Sequence, residues 1–116
     1  MKYIIILLLT VFTIHMASPN ALAQKESVIT VFGNCGSCKK AIEKAAKSVE
    51  GVESAYWDKK KKTLTVTYDE AKTSLNSIEK AIVAIGYDTE NLFADDEVYE
   101  NLHSCCKYDR KPRKGE

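Results

Sequence analysis

Two helical stripes of apolar residues, each stopped by a glycine and flanked by short β-branched runs, constrain this chain more than anything else in it. Ser27 to Phe32 reads Ser-Val-Ile-Thr-Val-Phe, a short strand that gives way to a loop at Gly33-Asn34. From Cys38 the apolar positions fall at Cys38, Ala41, Ile42, Ala45, Ala46 and Val49, the spacing of an amphipathic helix, and Gly51 ends it. Val52 to Asp58 predicts a second strand. Thr63 to Tyr68 predicts a third, with Leu64, Val66 and Tyr68 alternating with threonines, and lysines 59–62 make the turn between the two. Ser74 or Thr73 caps a second helix with the stripe Leu75, Ile78, Ala81, Ile82 and Ile85, stopped by Gly86. Tyr87 to Phe93 predicts a last strand. The order βαββαβ buries both stripes most economically as an α+β, ferredoxin-like sandwich: an antiparallel four-stranded sheet with both helices on one face. Beyond it, Asp95-Asp96 caps a short helical tail through Glu97, Val98, Tyr99 and Leu102, and the basic end from Lys107 to Glu116 reads as frayed.

Cys35-Gly36-Ser37-Cys38 stands where the first strand passes into the first helix. Two thiols three residues apart at a helix start converge on one point, and the amide end of the helix favours the thiolate over the thiol. Such a pair grips a soft metal ion or cycles as a disulfide. A second pair, Cys105-Cys106, lies near the far end of the chain with His103 just before it. Both pairs are local, and closing so short a loop restrains the unfolded chain very little, so the spacing suits chemistry better than stapling. A structural bridge is one alternative. A thioredoxin-like redox pair is another, but no aromatic residue immediately precedes Cys35, and Pro112, in the tail, is the only proline after the leading segment.

That leading segment has the pattern of an export signal. Lys2 supplies a positive start, Tyr3 to Ile14 is an almost unbroken apolar run, and Ala21-Leu22-Ala23 is a small-x-small cleavage site. The expectation is a signal peptide over 1–23, a domain over 24–94 and an extension over 95–116, the mature chain starting at Gln24 in a periplasm. The apolar run falls short of the roughly 20 residues that span a bilayer. Loss of Lys2 from the 17 basic residues leaves them equal in number to the 16 acidic ones, which argues against nucleic acid as a partner. Met1, Met16 and His15 leave with the signal, so the soft ligands of the mature chain are the cysteines and His103.

Two thiolates without a cluster of hard oxygens exclude calcium and magnesium as the intended ion. They suit Cu(I) first and Hg(II) next, whereas Zn(II) needs four ligands and hence two more from the tail.

These residues resemble the heavy-metal-associated domain of copper chaperones, metal-transporting ATPase N-termini and periplasmic mercury-binding proteins. The resemblance covers about Ser27 to Phe93. It rests on Cys-x-x-Cys at the first strand–helix junction, Val49-Glu50-Gly51-Val52 after the first helix and Ala84-Ile85-Gly86-Tyr87 after the second. It implies Cys35 and Cys38 as metal ligands, with Tyr87 packed beside them and Asn34 supporting the loop. The family usually carries Gly-Met-Thr/Ser before its first cysteine; here Phe32-Gly33-Asn34 stands there, so either the loop is looser or Phe32 fills the gap left by the absent methionine. The ordinary domain also stops near Phe93.

The expectation for the tail is that it folds back over the Cys35/Cys38 loop, where Cys105 and Cys106 add one or two thiolates. His103 is a weak candidate, since a lone histidine near a helix end is more often solvated. Lysines 59–62 read as a solvated turn that could also steer an acidic partner. Together these features imply an exported carrier that passes its ion by thiolate exchange to a metal-transporting membrane protein or another thiol carrier, as a monomer or a metal-bridged dimer. No nucleophile–base pair or carboxylate dyad can be assembled outside the thiols, so no enzyme is expected. The rival reading is an exported dithiol/disulfide redox protein.

Overall fold

The computed structural model describes residues 24–113; the segment read as an export signal and residues 114–116 lie outside the described residues. The chain runs through β1 (Gln24–Thr30), α1 (Gly36–Lys47), β2 (Val52–Asp58), β3 (Thr63–Asp69), α2 (Leu75–Val83), α3 (Asp96–Glu100) and a 3₁₀ turn at Ser104–Cys106. The strands form a sheet in the order β1-β3-β2. Both pairings are antiparallel, with Ile29 opposite Leu64 and Ala55 opposite Val66, and β2 is irregular between Val52 and Ser54.

The period-2 pattern decides which face is covered. Ile29, Ala55, Trp57, Leu64, Val66 and Tyr68 point into one core with Ile42, Ala45 and Ala46 of α1 and Ile78 and Ile82 of α2. Val28 and Tyr56, on the alternate positions, stay exposed. Ile42 is wholly buried, so its truncation to alanine would cost about 2–5 kcal/mol. Lys44 and Lys47 lie in the last turn of α1, where positive charge complements the helix dipole. Glu43 ties α1 to β2 by accepting from the Trp57 amide at 2.9 Å and from Lys39 Nζ at 2.6 Å. Ser74 is the cap of α2, its hydroxyl accepting from the Ser77 amide.

The expected fourth strand is shorter than its sequence suggests. It reduces to one antiparallel bridge, Val31 opposite Thr89, held by Phe32 N–H to the Asp88 carbonyl at 2.9 Å and Glu90 N–H to the Thr30 carbonyl at 2.8 Å. The reason is competition for its backbone and side chains. The Asp88 amide donates to the Tyr108 hydroxyl, and Thr89 donates its own hydroxyl to the buried Glu79 carboxylate. Asn91 adds three hydrogen bonds to the Glu79 carboxylate. The segment still lies on the side of β1 away from β3, so the four-strand order of a ferredoxin-like sheet is kept in reduced form.

The tail also differs from its expectation: Tyr108, Arg110 and Lys111 are bonded into the domain rather than frayed, while Lys107, Asp109 and Pro112 are exposed. Asp95 caps α3 through the Glu97 amide at 2.9 Å. Tyr108 is buried, stacked on Tyr87 at 5.6 Å and edge-on to Tyr99 at 5.1 Å. Its hydroxyl accepts from the Asp88 amide and donates to the Gly86 carbonyl, both at 2.7 Å. The Arg110 guanidinium forks onto the Asp88 carboxylate at 3.0 and 2.8 Å, and also donates to the Ala94 carbonyl at 2.7 Å.

Candidate metal centre

Cys35 is the N-cap of α1, with extended backbone and no side-chain cap bond of its own. The first amides of the helix are therefore free to face its sulfur. The Cys38 and Ser37 amides outweigh the effect of burial and bring the Cys35 thiol down to about 6, so it is a thiolate at neutral pH. Cys38, one turn on, is fully buried, and its sulfur lies 3.6 Å from that of Cys35.

The space that a side chain at position 33 would take is filled by Trp57 and Ile42, while Phe32 packs partly buried against the core. The Trp57 indole lies so close under Gly33 that a Cβ there would meet two ring atoms at 2.9 and 3.0 Å. The ring is fully buried and donates from Nε1 to the Val31 carbonyl at 2.9 Å. Lys62, which adopts φ 58, reaches back to donate to the Gly33 carbonyl at 2.7 Å. At least this member of the lysine run is thus structural rather than merely solvated.

The tail covers the loop. Cys106 is buried, with its sulfur 3.9 Å from that of Cys35, and Cys105 is exposed with its sulfur 3.9 Å from that of Cys106. The sulfurs of Cys35, Cys105 and Cys106 all lie within 4.8 Å of one another. Asn34 joins the two segments, its side-chain amide donating to the Cys105 carbonyl at 3.3 Å. Tyr87 is buried, and burial first, with the Cys38 and Cys106 thiols second, pushes its ionisation well above the usual phenol range. Burial likewise pushes the Cys106 thiol up to about 12. His103 is exposed, and its imidazole does not join the clustered sulfurs. Its carbonyl accepts the Cys106 amide at 2.8 Å and so shapes the turn.

The pattern of a Cys-x-x-Cys loop at the head of α1 on this sheet matches the family model for the heavy-metal-associated domain over residues 28–88. The chain belongs to that family. Among its relatives is the copper chaperone CopZ of Staphylococcus aureus, 34% identical over 64 residues, a match covering 54% of this chain and 94% of CopZ. Among solved structures, oxidized MerP from Ralstonia metallidurans is 32% identical with a TM-score of 0.56, covering 59% of this chain and 96% of MerP. The water-soluble region of the P-type ATPase CopA from Bacillus subtilis is 36% identical with a TM-score of 0.54, covering 57% of this chain and 44% of that one. The heavy-metal-associated match ends at residue 88, so α3, Cys105, Cys106, Tyr108 and Arg110 all lie beyond it.

Sequence reading alone did not find Trp57 beneath the loop, or the pairing of Asp88 with Tyr108 and Arg110. Each contact joins residues that have no local pattern in common; Arg110 and Asp88 are 22 residues apart.

Proposed function

We propose that this protein is an exported carrier of a soft metal ion, Cu(I) before Hg(II), which it holds at Cys35 and Cys38 and passes on by thiolate exchange. One observation carries the reading: a thiolate stabilised by helix amides stands 3.6 Å from a second, fully buried sulfur. Thiolates favour soft ions over hard ones, and the family and its copper- and mercury-related members support the same class. Cys35 is partly exposed, which leaves one side of the ion open to an incoming thiolate. The acceptor would be a metal-transporting membrane protein or another thiol carrier, consistent with the ATPase likeness. The reading assigns the protein no catalytic step.

Export rests on the apolar leader and the Ala21-Leu22-Ala23 site. N-terminal sequencing of the protein recovered from the periplasm is expected to begin at Gln24, and recovery of the uncleaved chain in the cytosol would contradict export.

The carrier role is tested by mixing the Cu(I)-loaded protein, without oxygen, with one equivalent of an apo copper-binding ATPase domain and separating the two. The expected result is copper divided between them within minutes, with no loading at all in the Cys35→Ser, Cys38→Ser double variant. A wild-type protein that retains no copper, or one that never releases it, contradicts the reading.

A further inference from the structure

We propose that Cys106 is a third ligand to the ion, so that the tail completes a three-sulfur site, and that Cys105, exposed at the edge of the same sulfur cluster, serves as a relay thiol. This rests on the reading of Cys35 and Cys38 as ligands and deepens it. Two observations converge. The Cys35 sulfur is within 3.9 Å of Cys106 as well as within 3.6 Å of Cys38, so one thiolate touches both of the other candidate ligands. Second, the position of Cys106 is enforced. The Asn34 amide holds the Cys105 carbonyl, the His103 carbonyl holds the Cys106 amide, and two residues further on Tyr108 is locked between Gly86 and Asp88.

The bland alternative is that Cys106 is a small apolar filler, as buried cysteines often are. That account gives no reason for its sulfur to be turned onto Cys35 at the rim of the core. A trigonal site also suits an ion that must survive outside a reducing compartment, because the tail covers a face that two ligands leave open. When the ion binds, the Cys106 S–H proton passes to solvent and a metal–sulfur bond forms, with no change in the oxidation state of the metal. Cys105, exposed and 3.9 Å from Cys106, is placed to take the ion's next bond as it leaves.

The test is sulfur coordination of bound Cu(I) by X-ray absorption, on the reduced protein and on the Cys106→Ala and Cys105→Ala variants. The expected counts are three sulfurs in the wild type, two in Cys106→Ala and three in Cys105→Ala, with Cu(I) held at least tenfold more weakly by Cys106→Ala in chelator competition. Two sulfurs in the wild type overturns the inference without recourse to any variant and leaves the carrier reading standing. Loss of the third sulfur in Cys105→Ala with its retention in Cys106→Ala overturns the assignment to Cys106. Failure of the wild type to bind copper overturns this inference and the carrier reading together.

Discussion

The sulfurs of Cys35 and Cys106, 71 residues apart in sequence, lie 3.9 Å from one another. Two short pieces of chain meet there: the head of α1, which is common to the family, and a turn beyond its matched residues. The first supplies charge, because helix amides hold Cys35 as a thiolate. The second supplies cover, because the tyrosine and arginine that follow Cys106 are bonded into the body of the domain.

Cys35 is expected to react as a thiolate across most of the physiological range. Its folded value of about 6 lies below that of an ordinary thiol, near 8.5, so deprotonation is complete above pH 7 and is lost as pH falls through 6. Iodoacetamide labelling of Cys35 in the reduced, metal-free protein, followed by mass spectrometry, should rise with pH to a plateau with its midpoint near 6. Cys106, pushed up to about 12, should label only on unfolding. A Cys35 midpoint near 8.5 would contradict the role given to the helix amides.

Replacing Arg110 with alanine strands the Asp88 carboxylate, which is wholly buried and, among the described residues, keeps only the Ala94 amide as a donor at 2.8 Å. Breaking a buried pair from one side costs about 3–5 kcal/mol, and the 19% exposure of the Arg110 side chain argues for the lower end. Urea titration of Arg110→Ala should show a loss of about 3 kcal/mol. A change below about 0.5 kcal/mol, the range of an ordinary surface substitution, would mean the tail is not anchored there.

Tyr108→Phe keeps both aromatic contacts but removes the hydroxyl between the Asp88 amide and the Gly86 carbonyl. Leaving buried groups unpaired costs about 1–3 kcal/mol. Hydrogen exchange at the Asp88 amide should accelerate well beyond that of amides in β3, which the substitution does not touch. Unchanged exchange at Asp88 would show that the hydroxyl is not its partner.

Gly33→Ala tests the tryptophan floor of the loop. Its Cβ would meet the rigid Trp57 ring at 2.9 Å, an overpacking expected to cost about 1–3 kcal/mol and to displace the residues leading into Cys35. A stability within about 0.5 kcal/mol of wild type would contradict the contact. Gly36→Ala is the matched control, since nothing lies within 4 Å of its added carbon.

What could be read from the sequence, and what could not, divides along range. The helices and first three strands follow from local sequence: β3 lies where the alternation of Leu64, Val66 and Tyr68 places it, and Ser74 and Asp95 cap the helices that begin after them. Tyr87 beside the thiols was legible only through the family resemblance. The short fourth strand was not, because apolar content in Tyr87 to Phe93 gives no sign that Asp88 and Thr89 bond to Arg110 and Glu79 instead of continuing a ladder. The packed tail was hidden for the same reason. Lys107 to Arg113 is basic and polar in composition, and only the fold shows that Tyr108 and Arg110 find buried partners.

The most direct measurement is anaerobic competition for Cu(I) between the reduced protein and a chromophoric chelator, run beside Cys35→Ser and Cys38→Ser. The account predicts one tightly bound ion per chain, with affinity falling by several orders of magnitude in each variant. Wild-type binding no tighter than that of an unstructured dithiol peptide, or binding that survives both substitutions, would contradict it.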